Sequence, residues 1–150
     1  MKRGSQVLKK LKNSKGLQIA LAAGILGAVI IPSSVSASDD EYGYYFTIKT
    51  LQKNSYTAYK YRQADDTSNP WKVGMTYSNE PGGKTITRFW MTESKTKSRA
   101  TKSVDVLEGY EYYNPTYKIA NKHDVALTAE NNNYNTNTYI AEGYWDEETR

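Results

Sequence analysis

The 150-residue chain contains no cysteine. That excludes disulfide staples, a thiol nucleophile, thiolate metal ligands and the acylated cysteine of a bacterial lipoprotein. It has one histidine, His123, inside the polar run Asn121-Lys122-His123-Asp124. A general base needs a positioned nucleophile or a second titrating group, so this residue reads as a solvated loop side chain. There is no G-x-S-x-G elbow, no H-E-x-x-H and no phosphate-binding glycine loop. The sequence is that of a non-enzyme, with no metal site and no cofactor expected.

Long hydrophobic runs are also scarce. Leu17 to Ile31, apolar apart from Gln18, falls short of the roughly 20 residues a membrane helix needs. Six basic residues from Lys2 to Lys15 precede it, Pro32 ends it, and Val35-Ser36-Ala37 supplies small residues for a signal peptidase. Residues 1–37 therefore read as a cleaved signal peptide, with Ala37 and Ser38 flanking the cut. No wall-sorting tail follows Tyr144. Secretion is expected, with loose retention at the cell wall as the alternative and no permanent membrane anchor after cleavage. The long basic leader and the lack of cysteine point to a Gram-positive source.

Removing the leader reverses the charge argument. Six of the 20 Lys and Arg precede Ser38 while all 16 Asp and Glu follow it, so 14 bases face 16 acids and the net charge is −2. A basic protein would suggest nucleic acid as a partner, but the exported part has no such footprint, and none is expected.

What residues 38–150 have in excess is aromatic surface: all 14 Tyr, three Trp and two Phe lie there, against only Leu51, Leu107 and Leu127. Such composition favours pleated sheets over helix bundles. Two-residue alternation recurs at Tyr44-Phe46-Ile48, Tyr59-Tyr61 and Trp71-Val73-Met75-Tyr77. It continues within Ile86 to Met91, Val104 to Leu107, Tyr117 to Ile119, Val125 to Ala129 and Tyr139 to Tyr144. This predicts one all-β domain, an antiparallel β-sandwich of about eight short strands, with a barrel as the alternative. Asp65 to Pro70, Asn121 to Asp124 and Asn131 to Thr138 are turns, and Asn79-Glu80-Pro81-Gly82-Gly83 is expected to close a hairpin. Trp71 and Trp90 are read as core anchors.

Three acidic clusters, Asp39-Asp40-Glu41, Asp65-Asp66 and Asp146-Glu147-Glu148, lack the spacing of a calcium loop. The first and last read as solubilising ends, and Asp65-Asp66 as the start of a turn. Two surface features are candidates for binding. Lys95, Lys97 and Arg99 recur every second residue and, with Lys102, would form a positive stripe for an anionic ligand if extended; the competing reading is a loop or a Lys-protected edge strand. Tyr110, Tyr112, Tyr113 and Tyr117 crowd one region and Tyr42, Tyr44 and Tyr45 another; these rings could stack on sugars, or serve as sheet-stabilising pairs.

The stretches Tyr61-Arg62-Gln63 with Asn69-Pro70-Trp71-Lys72-Val73, Thr87-Arg88-Phe89-Trp90, Leu127-Thr128-Ala129-Glu130-Asn131-Asn132 and Gly143-Tyr144-Trp145-Asp146-Glu147-Glu148-Thr149 resemble an uncharacterised family of small secreted proteins of Bacillus-type Gram-positive bacteria, a domain of unknown function. The likeness covers most of residues 42–150. It implies a secreted single domain without assigned activity and an association with bacteriocin-type gene clusters. The expected role is a non-catalytic binding or accessory protein at the Gram-positive cell envelope, its partner a cell-wall polymer or envelope protein. The alternative is a bacteriocin-like antagonist or its immunity partner.

Overall fold

A computed structural model describes residues 39–83 and 85–149. The expected signal peptide and its cleavage site, Ala37 and Ser38, lie outside the described residues. Nine strands are present among them: β1 (Tyr42–Ile48), β2 (Ser55–Tyr56), β3 (Lys60–Tyr61), β4 (Trp71–Ser78), β5 (Ile86–Glu93), β6 (Val104–Leu107), β7 (Tyr110–Asn114), β8 (Asp124–Asn131) and β9 (Tyr139–Asp146). They form two antiparallel sheets. The first runs β1-β9-β4-β7; in the second, β2 and β3 lie end to end beside β8, followed by β5 and β6.

Alternation decides which side chains meet between the sheets. Tyr44, Phe46 and Ile48 of β1, Trp71, Val73 and Met75 of β4, and Tyr139, Ala141 and Trp145 of β9 face Phe89 and Met91 of β5, Val106 of β6, and Val125, Leu127 and Ala129 of β8. Tyr44, Phe46 and Phe89 form a ring cluster with centroids 5.2 to 6.4 Å apart. The Tyr44 hydroxyl donates to the Gly74 carbonyl at 2.9 Å, so this polar group is satisfied inside the core. That approach is possible only because Gly143 lacks a side chain: a Cβ there would lie 2.0 Å from the Gly74 oxygen and 2.7 Å from the Tyr44 hydroxyl. On the outer face, a Cβ at Gly74 would meet the Tyr144 ring at 2.6 Å. Both glycines are places of close approach.

Several expectations are corrected. Asn79 to Gly83 is not a hairpin turn, since β4 and β5 belong to different sheets. It is a crossover tied to both: Asn79 Oδ1 accepts the Ile140 N–H at 2.6 Å, and Glu80 Oε2 accepts the Ile86 N–H at 3.0 Å. A turn signal specifies a chain reversal and not the sheet to which the next strand returns. Tyr77 does not continue the buried phase of β4, because the register shifts between Met75 and Tyr77. The bulge turns Tyr77 out and Ser78 in. Tyr117 to Ile119 is not a strand; Lys118–Ala120 is a single 3₁₀ turn. Trp90 is buried, but on the face of β5 opposite the core, beneath the guanidinium of Arg99 at 4.3 Å.

The C-terminal acids are not a frayed end. Asp146, Glu147 and Glu148 are all buried. The fully buried Arg62 holds them: Nη1 donates to the Glu147 carbonyl at 3.2 Å, Nη2 donates to the carbonyls of Asp66 (2.8 Å) and Asn69 (2.9 Å), and the guanidinium lies 3.5 Å from the Glu148 carboxylate. Glu148 also accepts the backbone N–H groups of Gln63 and Ala64. Asp65-Asp66 does open a turn, with Asp66 Oδ1 accepting the Ser68 N–H at 2.7 Å.

Candidate binding groove

The two edge strands β1 and β2–β3 face each other across one open side of the sandwich. Pairing of β2 and β3 with β8 is interrupted: Tyr56 pairs with Thr128 and Lys60 with Val125, so three residues oppose two. Thr57 bridges the gap, its N–H donating to the Leu127 carbonyl and its Oγ1 accepting the Leu127 N–H, both at 3.0 Å. The following residues are thereby lifted off the sheet. Bulges of this kind re-aim an edge and recur beside binding sites.

Between this raised segment and β1 lies a groove of about 380 Å³, lined by Glu41, Tyr42, Gly43, Thr57, Ala58, Lys60 and Trp145. Tyr42 and Trp145 are register partners with ring centroids 5.9 Å apart. The Lys60 ammonium stands 4.0 Å from the Tyr42 ring centroid. Glu41 Oε2 accepts a 2.8 Å charge-assisted bond from Lys72 Nζ, leaving its carboxylate about half exposed. Burial, followed by the charges of Glu147 and Asp40, pushes the Tyr42 hydroxyl up to about 12. That hydroxyl therefore stays protonated at physiological pH and donates to Asp40 Oδ2 at 3.3 Å.

The residues expected to form binding surfaces are placed differently. Lys95, Lys97 and Arg99 do not share one extended face, because Ser94 to Thr96 form a turn and Lys97 has φ of +59°. Glu93 organises that turn, its carboxylate accepting the N–H groups of Lys95 (2.9 Å) and Thr96 (2.7 Å) and the Thr96 hydroxyl (2.8 Å). Lys97 Nζ donates to the Tyr59 hydroxyl at 2.8 Å and Arg99 stacks on Trp90, while Lys95 and Lys102 are exposed. Four basic residues thus point to three different surroundings. Tyr110, Tyr112 and Tyr113 belong to the edge strand β7, where Tyr112 packs against the core while Tyr110 and Tyr113 are exposed. Tyr117 lies beyond that strand, also exposed.

Sequence reasoning placed Tyr42 in an aromatic cluster with Tyr44 and Tyr45 but missed the groove, because Trp145 meets Tyr42 only as its register partner across β1 and β9. Among the described residues, no group of three or more His, Asp or Glu is placed to hold a metal.

The family model described as "Protein of unknown function (DUF2712)" matches residues 31–149. The chain belongs to this family. For this DUF2712 member no curated protein matches. Among solved structures, it is similar to one titled "Crystal structure of PirA", at 13% sequence identity over 73% of this chain and 98% of that chain, with a TM-score of 0.40.

Proposed function

We propose that this protein is a non-catalytic binding domain that is exported and acts at the Gram-positive cell envelope. The observation that carries the reading is the groove at the open side of the sandwich. It combines two aromatic rings with one carboxylate and one ammonium, and its volume falls in the range of about 300 to 1,000 Å³ typical of ligand sites. The leader supports export. The same leader, with the bacteriocin association implied by the family resemblance, supports a second reading as a secreted antagonist or its immunity partner.

Expression of the full chain in a Gram-positive host provides the test. The expected product is a protein in the medium whose first residue is Ser38 and which co-sediments with purified wall sacculi. Retention in the cell with an intact leader, or failure to sediment at any salt concentration, would overturn the reading. Growth inhibition of related strains by the purified protein would favour the antagonist.

A further inference from the structure

We propose that the end of the sandwich at which the chain passes between its two sheets docks on a lipid membrane with anionic headgroups, with Leu51 and Tyr134 entering the headgroup layer. This rests on the reading of the protein as exported, and it names a partner within the envelope for a surface other than the groove.

Four connections, 49–54, 79–85, 108–109 and 132–138, leave the same end of the two sheets, where Ile48 pairs with Tyr139, Ser78 with Ala141, Thr87 with Asn131 and Ile86 with Leu107. The sheet orders β1-β9-β4-β7 and β2-β8-β5-β6 set them side by side across the width of that end, in the order 49–54, 132–138, 79–85, 108–109. The two flanks of this row carry apolar side chains: Leu51 (39% exposed) and Tyr134 (73%) on one, Leu107 (43%) and Tyr110 (62%) on the other. Between them, Pro81, Gly82 and Gly83 add little side chain. Single apolar residues scattered over a surface are ordinary, but both exposed leucines among the described residues lie at this end. The opposite end differs in kind. Its connections 62–70, 94–103 and 115–123 expose two acids, four bases and two bases in turn, and of the large apolar side chains only Tyr117.

The local structure holds Leu51 and Tyr134 outward. Leu51 (φ +56°, ψ +39°) and Gln52 (φ +56°) occupy left-handed backbone, which is costly for a residue with a Cβ. The positive-φ positions in the neighbouring connections, Gly82, Gly83 and Gly109, are glycine. At Leu51 the strain is held by its N–H, which donates to the Asn135 carbonyl at 2.7 Å, and what it presents is an apolar side chain. The loop of Tyr134 is folded on itself, Asn131 Oδ1 accepting the Asn133 N–H and Asn135 Oδ1 the Asn137 N–H, both at 2.9 Å. It carries no charge, and part of its backbone has partners that do not depend on water. Tyrosine suits the headgroup level, with an apolar ring and a polar tip. The charges of the described residues in the four connections are Lys49 and Lys53, both exposed, Glu80, buried and bonded to the Ile86 N–H, and Glu108, half-buried. Two exposed cations thus stand against one half-buried carboxylate, a balance that favours an anionic leaflet. A protein partner would be gripped by a central cluster of anchors, which Pro81 to Gly83 do not supply; apolar tips at both flanks of a row match a broad, flat surface.

The chain has no cysteine, so one introduced Cys can carry a polarity-sensitive fluorophore at a chosen place: Leu51→Cys, Tyr134→Cys, or Ser68→Cys at the opposite end. The full chain is expressed with each change, and the labelled proteins are mixed with vesicles of phosphatidylglycerol or of phosphatidylcholine. The expected result is a blue shift at positions 51 and 134 on phosphatidylglycerol, none at 68, and flotation with phosphatidylglycerol vesicles about tenfold tighter than with phosphatidylcholine. The unlabelled double variant Leu51→Asp, Tyr134→Asp, changed only at exposed side chains, should float about tenfold or more weakly with unchanged melting. An unshifted label at 51 and 134, an equal shift at 68, undiminished flotation of the double variant, or equal binding to both lipids would overturn the proposal. Sacculi contain no lipid, so failure to sediment with them bears on the wall contact, and failure of the vesicle experiment on this surface alone.

Discussion

The turn after β5 and the end of β9 both bury carboxylates, yet they hold them in opposite states. Glu93 is 1% exposed. Burial alone would raise its pKa, but the N–H groups of Thr96 and Lys95 and the Thr96 hydroxyl outweigh that and bring it to about 2. Asp146 and Glu147 are just as buried, and burial dominates: both carboxyls are pushed up to about 7. Each keeps one oxygen, Asp146 Oδ2 and Glu147 Oε2, without a hydrogen-bond partner. The difference is the supply of donors. A tight turn directs successive backbone N–H groups inward at the residue that caps it, whereas at the end of β9 the buried donor Arg62 serves three backbone carbonyls and Glu148. Burial by itself therefore does not determine the charge state of an acid; the donors that converge on it do.

The largest effect is expected from Arg62→Met. It would remove the Arg62 ion pair with Glu148 and the guanidinium bonds to three carbonyls, a loss of about 3 to 5 kcal/mol, read from urea denaturation at neutral pH. A loss below about 1 kcal/mol would show that the corner is held by the backbone bonds of Gln63 and Ala64 instead.

The pH dependence of the two regions should run in opposite directions. Asp146 and Glu147 have folded pKa values above their ordinary ones. The fold therefore favours their protonated forms, and their contribution is complete below about pH 4 and is lost as pH rises through about 7. Stability should fall by about 3 to 4 kcal/mol for each acid over that range, and the double substitution Asp146→Asn, Glu147→Gln should flatten the urea midpoint against pH. An unchanged slope in the double variant would mean that neither acid is protonated in the fold.

Glu93 has a depressed folded pKa, so its contribution is present above its ordinary pKa and is lost as pH falls toward about 2. Glu93→Gln should lower stability by about 1 to 3 kcal/mol at neutral pH and remove the acid-side part of the curve. Hydrogen exchange of the Lys95 and Thr96 amides would confirm that the turn itself has loosened. The smallest effect is expected from replacing the exposed Lys95 and Lys102 with Ser, within about 0.5 kcal/mol by thermal melting. It sharpens the comparison by separating the turn's hydrogen bonds from its surface charge.

Much of the sheet content was legible. Alternation located β1, β4, β5, β6, β8 and β9 because the apolar side chains that face the core recur at every second residue in each. It missed β2, only two residues long, and β7, where four polar or aromatic neighbours from Tyr110 to Tyr113 alternate weakly. It misread Tyr117 to Ile119 because a single 3₁₀ turn can also present one apolar side chain inward. The proposed site was barely legible. Lys95, Lys97, Arg99 and Lys102 were conspicuous as charge, but their common face depended on an extended backbone that the Glu93 turn does not allow. Tyr42 and Trp145 are 103 positions apart and meet only as register partners of β1 and β9.

The all-β class and the aromatic core were legible in the sequence, because the apolar side chains facing the core recur at every second residue, whereas sandwich and barrel share that period and were told apart by the two separate sheets. Only the tertiary structure decided which strands share a sheet, where the edge of β2–β3 bulges, and that the acids after Trp145 are enclosed by Arg62. Pairing partners, bulges and ion pairs depend on residues distant in the chain, and their free energy is realised only when the two sheets close on each other.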